Sequence, residues 1–167
     1  MKSFWLLFLV LTCGTAGAQV MPDKSEFLAS VRALDSLMIS DWTQLRGEAV
    51  QADGDLVTYR AARQLPGFRD ARLLVKDGGQ FVNYFAVFTE DTSRTRAMDA
   101  FSAFERWTEE WAWSLYRVQP SWDINDAVPE ATESTVYWYN TGAPGYTFYL
   151  ACYSDKGLWV TKAGLFH

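Results

Sequence analysis

The side chains able to do acid, base or nucleophilic chemistry are few in this sequence, and their spacing is poor. The single histidine is His167, at the end of the sequence, where segments are usually mobile. A Ser-His-Asp or Cys-His arrangement therefore has no base, and zinc sites built from several Cys or His ligands are unsupported. Cys13 and Cys152 are the two cysteines. Cys152 falls in an apolar stretch and reads as a buried, inert thiol. Neither GxGxxG after a strand nor GxxxxGK[ST] occurs. Carboxylates remain: Glu105 and Glu109 share one helical face, and Asp123 and Asp126 lie close together. Such pairs could serve acid/base work on a sugar, but a glycosidase needs them across a cleft, about 5–9 Å apart. No residue is assigned a catalytic role, and no metal or cofactor is expected.

Aromatic residues are the richer inventory, at 16% of the chain. Helical geometry puts Trp113 about 200° from Trp111, on the polar face with Arg106, Glu109, Glu110 and Arg117. An exposed Trp there suits contact with a partner, unless a loop covers it. In the stretch 146–153, alternation puts Tyr149 and Tyr153 on one strand face and Phe148, Leu150 and Cys152 on the other. The second set is the better core candidate. Tyr137 and Tyr139 alternate with Val136 and Trp138 and are grouped with Tyr149 and Tyr153. Trp113, Tyr137, Tyr139, Tyr149 and Tyr153 are thus the candidate binding residues, because tyrosine and tryptophan offer broad rigid area with a polar handle.

Two helical patterns must position these groups. Phe27, Val31, Leu34, Met38 and Leu45 recur near a 3.6-residue period, Asp23 and Glu26 give an N-terminal capping signal, and Gly47 is the expected stop. In the second pattern Ala97, Phe101, Phe104, Trp111, Leu115 and Val118 form one stripe that Pro120 closes. Strands are expected over roughly 48–52, 55–62, 71–76, 80–89, 133–140, 146–153 and 158–166, with turns at Asp53-Gly54, Pro66-Gly67, Asp77-x-Gly79 and Asp155-x-Gly157.

Residues 59–88 laid over 137–166, a shift of 78 (137 − 59), match at Tyr59, Pro66, Gly67, Asp77, Gly79, Val82 and Phe88. Roughly two matches are expected from ordinary composition. The sequence therefore reads as an internal duplication. The expected fold is α+β: a tandem repeat of one helix plus a three-stranded antiparallel meander, (αβββ)2, with both helices on one face of a mostly antiparallel sheet. The halves would be 19–92 and 93–167 within one compact domain. This element order is similar in outline to the tandem helix-plus-sheet modules of secreted β-lactamase-inhibitor proteins. The likeness is one of element order and implies no activity.

Residues 1–18 read as an export signal: Lys2, an apolar run from Phe4 to Leu11, and Ala16-Gly17-Ala18 before a cut at Gln19. The run is about half of what a bilayer needs. Cys13 matches a lipidation signal only loosely. The net charge of −5, with no Lys/Arg-rich stretch, argues against a nucleic-acid binder. The reading that follows is an exported, non-enzymatic recognition protein of a bacterial envelope or periplasm, binding a protein or small ligand. A homodimer through the tyrosine face is a sub-case of this reading, and two alternatives stand beside it: a carboxylate-dependent polysaccharide hydrolase, and a structural envelope protein, monomeric or homodimeric.

Overall fold

The computed structural model describes residues 20–115, 134–140 and 147–166, with side chains described except at 112–115 and 134–140. The segment 1–18, Cys13, Trp122, Asp123, Asp126, the Pro144-Gly145 corner and His167 lie outside the described residues, as do the side chains of Trp113, Tyr137 and Tyr139.

Helix α1 (Lys24–Asp41) starts where the Asp23 carboxylate accepts the Ser25 and Glu26 amides, at 2.8 and 3.2 Å. These bonds satisfy donors that a helix start leaves free, and they hold the Asp23 carboxyl below its usual range; the Ser25 hydroxyl is the largest contributor. The stripe Phe27, Val31, Leu34 and Met38 is buried. The helix ends before Gly47. The Asp41 side chain accepts from the Thr43 amide and restarts the chain as a 3₁₀ turn, Trp42–Leu45, a local bond that competes with helix continuation. Leu45 is still fully buried, inside that turn.

Seven antiparallel strands follow: β1 (Arg46–Asp53), β2 (Leu56–Ala61), β3 (Arg69–Lys76) and β4 (Phe81–Asp91), then helix α2 (Arg94–Leu115), then β5 (Ser134–Asn140), β6 (Thr147–Asp155) and β7 (Leu158–Phe166). They form one sheet in the order β1-β2-β3-β4-β7-β6-β5. Turn chemistry sets the hairpins. Lys156 and Gly157 have φ of 49° and 82°, the left-handed pair that a two-residue hairpin needs. Both helices cover the same face. Their stripes close on Leu73, Val75, Val82, Tyr84, Ala86, Phe88, Phe148, Leu150, Cys152, Ala163 and Leu165. At the centre the Phe104 ring lies 4.8–5.0 Å from those of Phe27, Phe68 and Phe88. No helix among the described residues is long and apolar enough to cross a membrane.

The shift of 78 carries β2, β3 and β4 onto the positions of β5, β6 and β7. It also carries the β3–β4 register (Leu73 opposite Tyr84) onto the β6–β7 register (Ala151 opposite Lys162). It does not carry the faces. Val82, Tyr84, Ala86 and Phe88 face the helices, whereas their counterparts Val160, Lys162, Gly164 and Phe166 alternate with the helix-facing Thr161, Ala163 and Leu165. A pleated strand has period two, so a true equivalence must preserve the face. The ungapped matching of 59–88 with 137–166 therefore does not equate side chains across these strands. Its matches at Asp77 and Gly79 reflect hairpin spacing: both turns need the same residue types whichever way the sheet faces.

Candidate functional site

Chemistry-bearing groups gather on the sheet face away from the helices, over β4, β7 and β6. On β4 the residues on this side are Phe81, Asn83, Phe85 and Val87; on β7 they are Val160, Lys162, Gly164 and Phe166; on β6 they are Tyr149, Ala151 and Tyr153. Open faces of antiparallel sheets usually alternate toward polar residues. This one is aromatic. The Phe81 and Phe166 rings are 6.4 Å apart, and those of Phe166 and Tyr149 are 6.2 Å apart, so three rings cross three strands in sequence.

Gly164 makes the centre of this array possible. It stands opposite both Phe85 and Tyr149 in register. The Tyr149 ring occupies the space that a β-carbon would need there. Tyr149 is 1% exposed, and Ala151 and Val160 on the same side of the sheet are buried with it. Its hydroxyl donates to Asn83 Oδ1 at 3.4 Å. Burial drives its phenol well above the ordinary range, and the Asn83 bond offsets only part of that. Tyr153 is half-buried, and its phenol is pushed up to about 12, by burial first and then by Asp155 and Glu90.

Lys162 is the one lysine on this part of the sheet. Its Nζ lies 4.2 Å from the centre of the Phe85 ring and 5.8 Å from that of Tyr149. Its register partners are Val87 and Ala151. Among the described residues no carboxylate lies within ion-pair distance. Among the described residues the ammonium meets two ring faces, and burial lowers its pKa to about 8. The guanidinium in the register row of Lys162 is Arg69, opposite Val87 on β3 and bonded to Glu90 at 3.0 Å; Arg72, opposite Phe85, is bonded to Asp70 at 2.7 Å.

The expected tyrosine group divides between the two faces. Tyr149 and Tyr153 lie on the open face. In register Tyr137 is opposite Leu150 and Tyr139 opposite Phe148, so both positions belong to the helix side of the sheet; Trp138 is opposite Tyr149, on the open side. The pairing of β5 with β6 decides this, because residues directly opposite share a face. Trp113 is placed on α2 by its backbone only. Cys152 is buried among the core residues, with Thr161 Oγ1 4.0 Å from its sulfur.

Sequence reasoning missed Lys162, Phe85, Asn83 and Gly164. A signal was present: within Trp159–Phe166 a lysine interrupts an otherwise apolar or small run, in phase with Val160 and Phe166.

Two other features are weaker. A hollow of about 420 Å³ lies between α1 and the β2–β3 connection, with Leu34 and Leu37 in its floor and Ser30, Arg63 and Gln64 at its rim. At the hairpin ends the Asp77 pKa is raised, by a hydrogen bond with Asp55 first, then by desolvation and the Asp55 charge; both carboxyls are on exposed turns. Two carboxyls on exposed turns have no cleft between them, which is poor geometry for glycoside cleavage. Glu105 is half-buried on α2, and Glu109 one turn later is exposed. No group of three or more potential metal ligands occurs among the described residues.

No protein-family model matches the chain, and neither curated proteins nor solved structures yield a match.

Proposed function

We propose that this is an exported, non-enzymatic recognition protein whose binding surface is the open face of the sheet over β4, β7 and β6. One observation carries the reading: that face bears the ring series Phe81, Phe166, Tyr149, with Phe85 and Tyr153 beside it, where an open sheet face ordinarily bears polar side chains. Rigid aromatic area supported by regular strands suits binding without catalysis. Export rests on the charge, apolar run and small residues of 1–18.

Site-specific photo-cross-linking tests the reading in the producing cell. A photoreactive phenylalanine analogue replaces Phe81, which is 38% exposed on the open face. A control carries it at Arg32, exposed on α1. A covalent adduct, whether a mass increment or a second protein, is expected from position 81 and not from position 32. Equal capture at both positions, or none at 81, would sink the proposal. Recovery from the envelope fraction of a chain beginning at Gln19 is expected from the same cells, and retention of 1–18 in the cytoplasm would contradict export.

A further inference from the structure

We infer that the hollow between α1 and the β2–β3 connection is a second binding site, separate from the open face, for a single-chain aliphatic carboxylate. Its chain lies on Ala33, Leu34 and Leu37, and its carboxylate meets the Arg63 guanidinium at the rim. The first argument is shape. Ser30, Ala33, Leu34 and Leu37 stand at i, i+3, i+4 and i+7 on α1, so one stripe of the helix forms a wall. Ser30 and Ala33 are small, and the space beside them, about 420 Å³, falls within the range of small-ligand sites. The hollow is reachable from solvent: Ala33, Arg63 and Gln64 are exposed, Ser30 and Leu37 are half-buried, and Leu34 is buried at the bottom.

The second argument is rigidity. The facing wall belongs to residues 62–68, which are tied down at three points. The Ala62 amide donates to the Leu45 carbonyl at 2.8 Å, the Phe68 amide to the Leu65 carbonyl at 3.0 Å, and the Gln64 side-chain amide to the Phe68 carbonyl. Leu65 is buried in the core and anchors the connection from within. A wall held in place beforehand loses little conformational freedom when a ligand arrives. The third argument is charge. Among the described residues Arg63 is the only charged group lining the hollow, and no carboxylate lies within ion-pair distance of it. The forked donors of a guanidinium match the two oxygens of a carboxylate. One cation balances a monoanion, whereas a phosphate monoester would bring nearly two charges. The apolar lining is aliphatic and holds no ring, which favours a saturated chain over an aromatic acid.

Isothermal titration calorimetry of the full chain with octanoate provides the test. The comparisons are 1-octanol (the same chain without charge) and acetate (the same head without a chain). Octanoate is expected to bind saturably at one site, 1-octanol about tenfold more weakly or worse, and acetate without saturation. Arg63→Met keeps the apolar stem and removes the charge; it is expected to bring octanoate down to the affinity of 1-octanol or below. Ala33→Trp, at an exposed position of α1, fills the hollow and is expected to abolish octanoate binding. Ser36→Phe, also exposed and lining the hollow, serves if that variant does not fold. Undiminished octanoate binding by Ala33→Trp would overturn the placement, since a site on the open face would behave that way. Equal affinity for octanoate and 1-octanol would overturn the carboxylate assignment. No saturable binding of octanoate to the wild type would overturn the inference altogether, while capture at position 81 reports separately on the open face.

Discussion

The cost of a lysine in the middle of a sheet is visible as pH dependence. Burial lowers the Lys162 pKa from 10.5 to about 8, so between these values the unfolded chain holds more proton than the folded one. Stability should therefore rise with pH through that window. Below about pH 8 both states carry the proton, and the penalty stays constant. The groups around Lys162 work in the opposite sense at higher pH. Tyr149 and Tyr153, together with Tyr84 on the helix side, have raised phenol pKa values, with burial the leading cause in each. Their unfolded forms ionise first above pH 10, and stability falls there. Urea melts across pH 7–11 should show a maximum near pH 10 for the wild type. Lys162→Met should abolish the rising limb and keep the falling one; an unchanged rising limb would show that Lys162 does not cause it. At Gly164 the prediction is steric. Gly164→Ala drives a methyl into the buried Tyr149 ring and should cost about 1–3 kcal/mol. Tyr149→Val, tested in the same background by thermal melting, should recover most of that loss. Lys162 was not legible from sequence because the face it occupies depends on the pairing of β7 with β4 and β6.

At the scale of elements, most of the architecture was legible. All seven strands and both helices fall close to their expected positions, because alternation, the 3.6-residue stripes and the Gly-containing turns are local signals. The end of α1 was misplaced for a local reason too: the Asp41 side chain terminates the helix, six residues before Gly47. The facing of β5 was not legible, since it depends on pairing with β6, and one residue of register moves Tyr137 and Tyr139 from one side of the sheet to the other. The packing of α1 on α2 converges on Phe104, whose ring meets Phe27, Phe68, Phe88 and Trp107. Phe104→Ala should therefore cost about 3–5 kcal/mol in urea denaturation, because four ring partners cannot all collapse into the void. Phe104→Leu, which fills more of it, should cost less. At the start of α1, Asp23→Ala should lower the melting temperature at neutral pH. The difference from wild type should shrink as the pH falls through the Asp23 pKa, since a protonated carboxyl caps poorly. A constant difference down to pH 2 would refute the capping role.

For the whole molecule the decisive feature is the seam between β4 and β7, which joins residues from Asn83 with Phe166 to Asp91 with Trp159. Each of these strands has a neighbour on its far side, while β1 at the rim is exposed along its full length. Backbone amides of β4 and β7 should accordingly exchange slowest with deuterated water, and those of β1 fastest among the strands. Protection of β1 equal to that of β7 would contradict a sheet stabilised from its middle. The same placement governs biosynthesis. Of β4, β6 and β7, the strand that emerges last from a ribosome is the one that must slot between the other two. Until it arrives, the nascent chain presents two raw strand borders, each able to accept a foreign strand. A stop codon or protease cut just before Leu158 would leave the polypeptide with a gap through its centre, and holdase chaperones would be its natural companions during that interval.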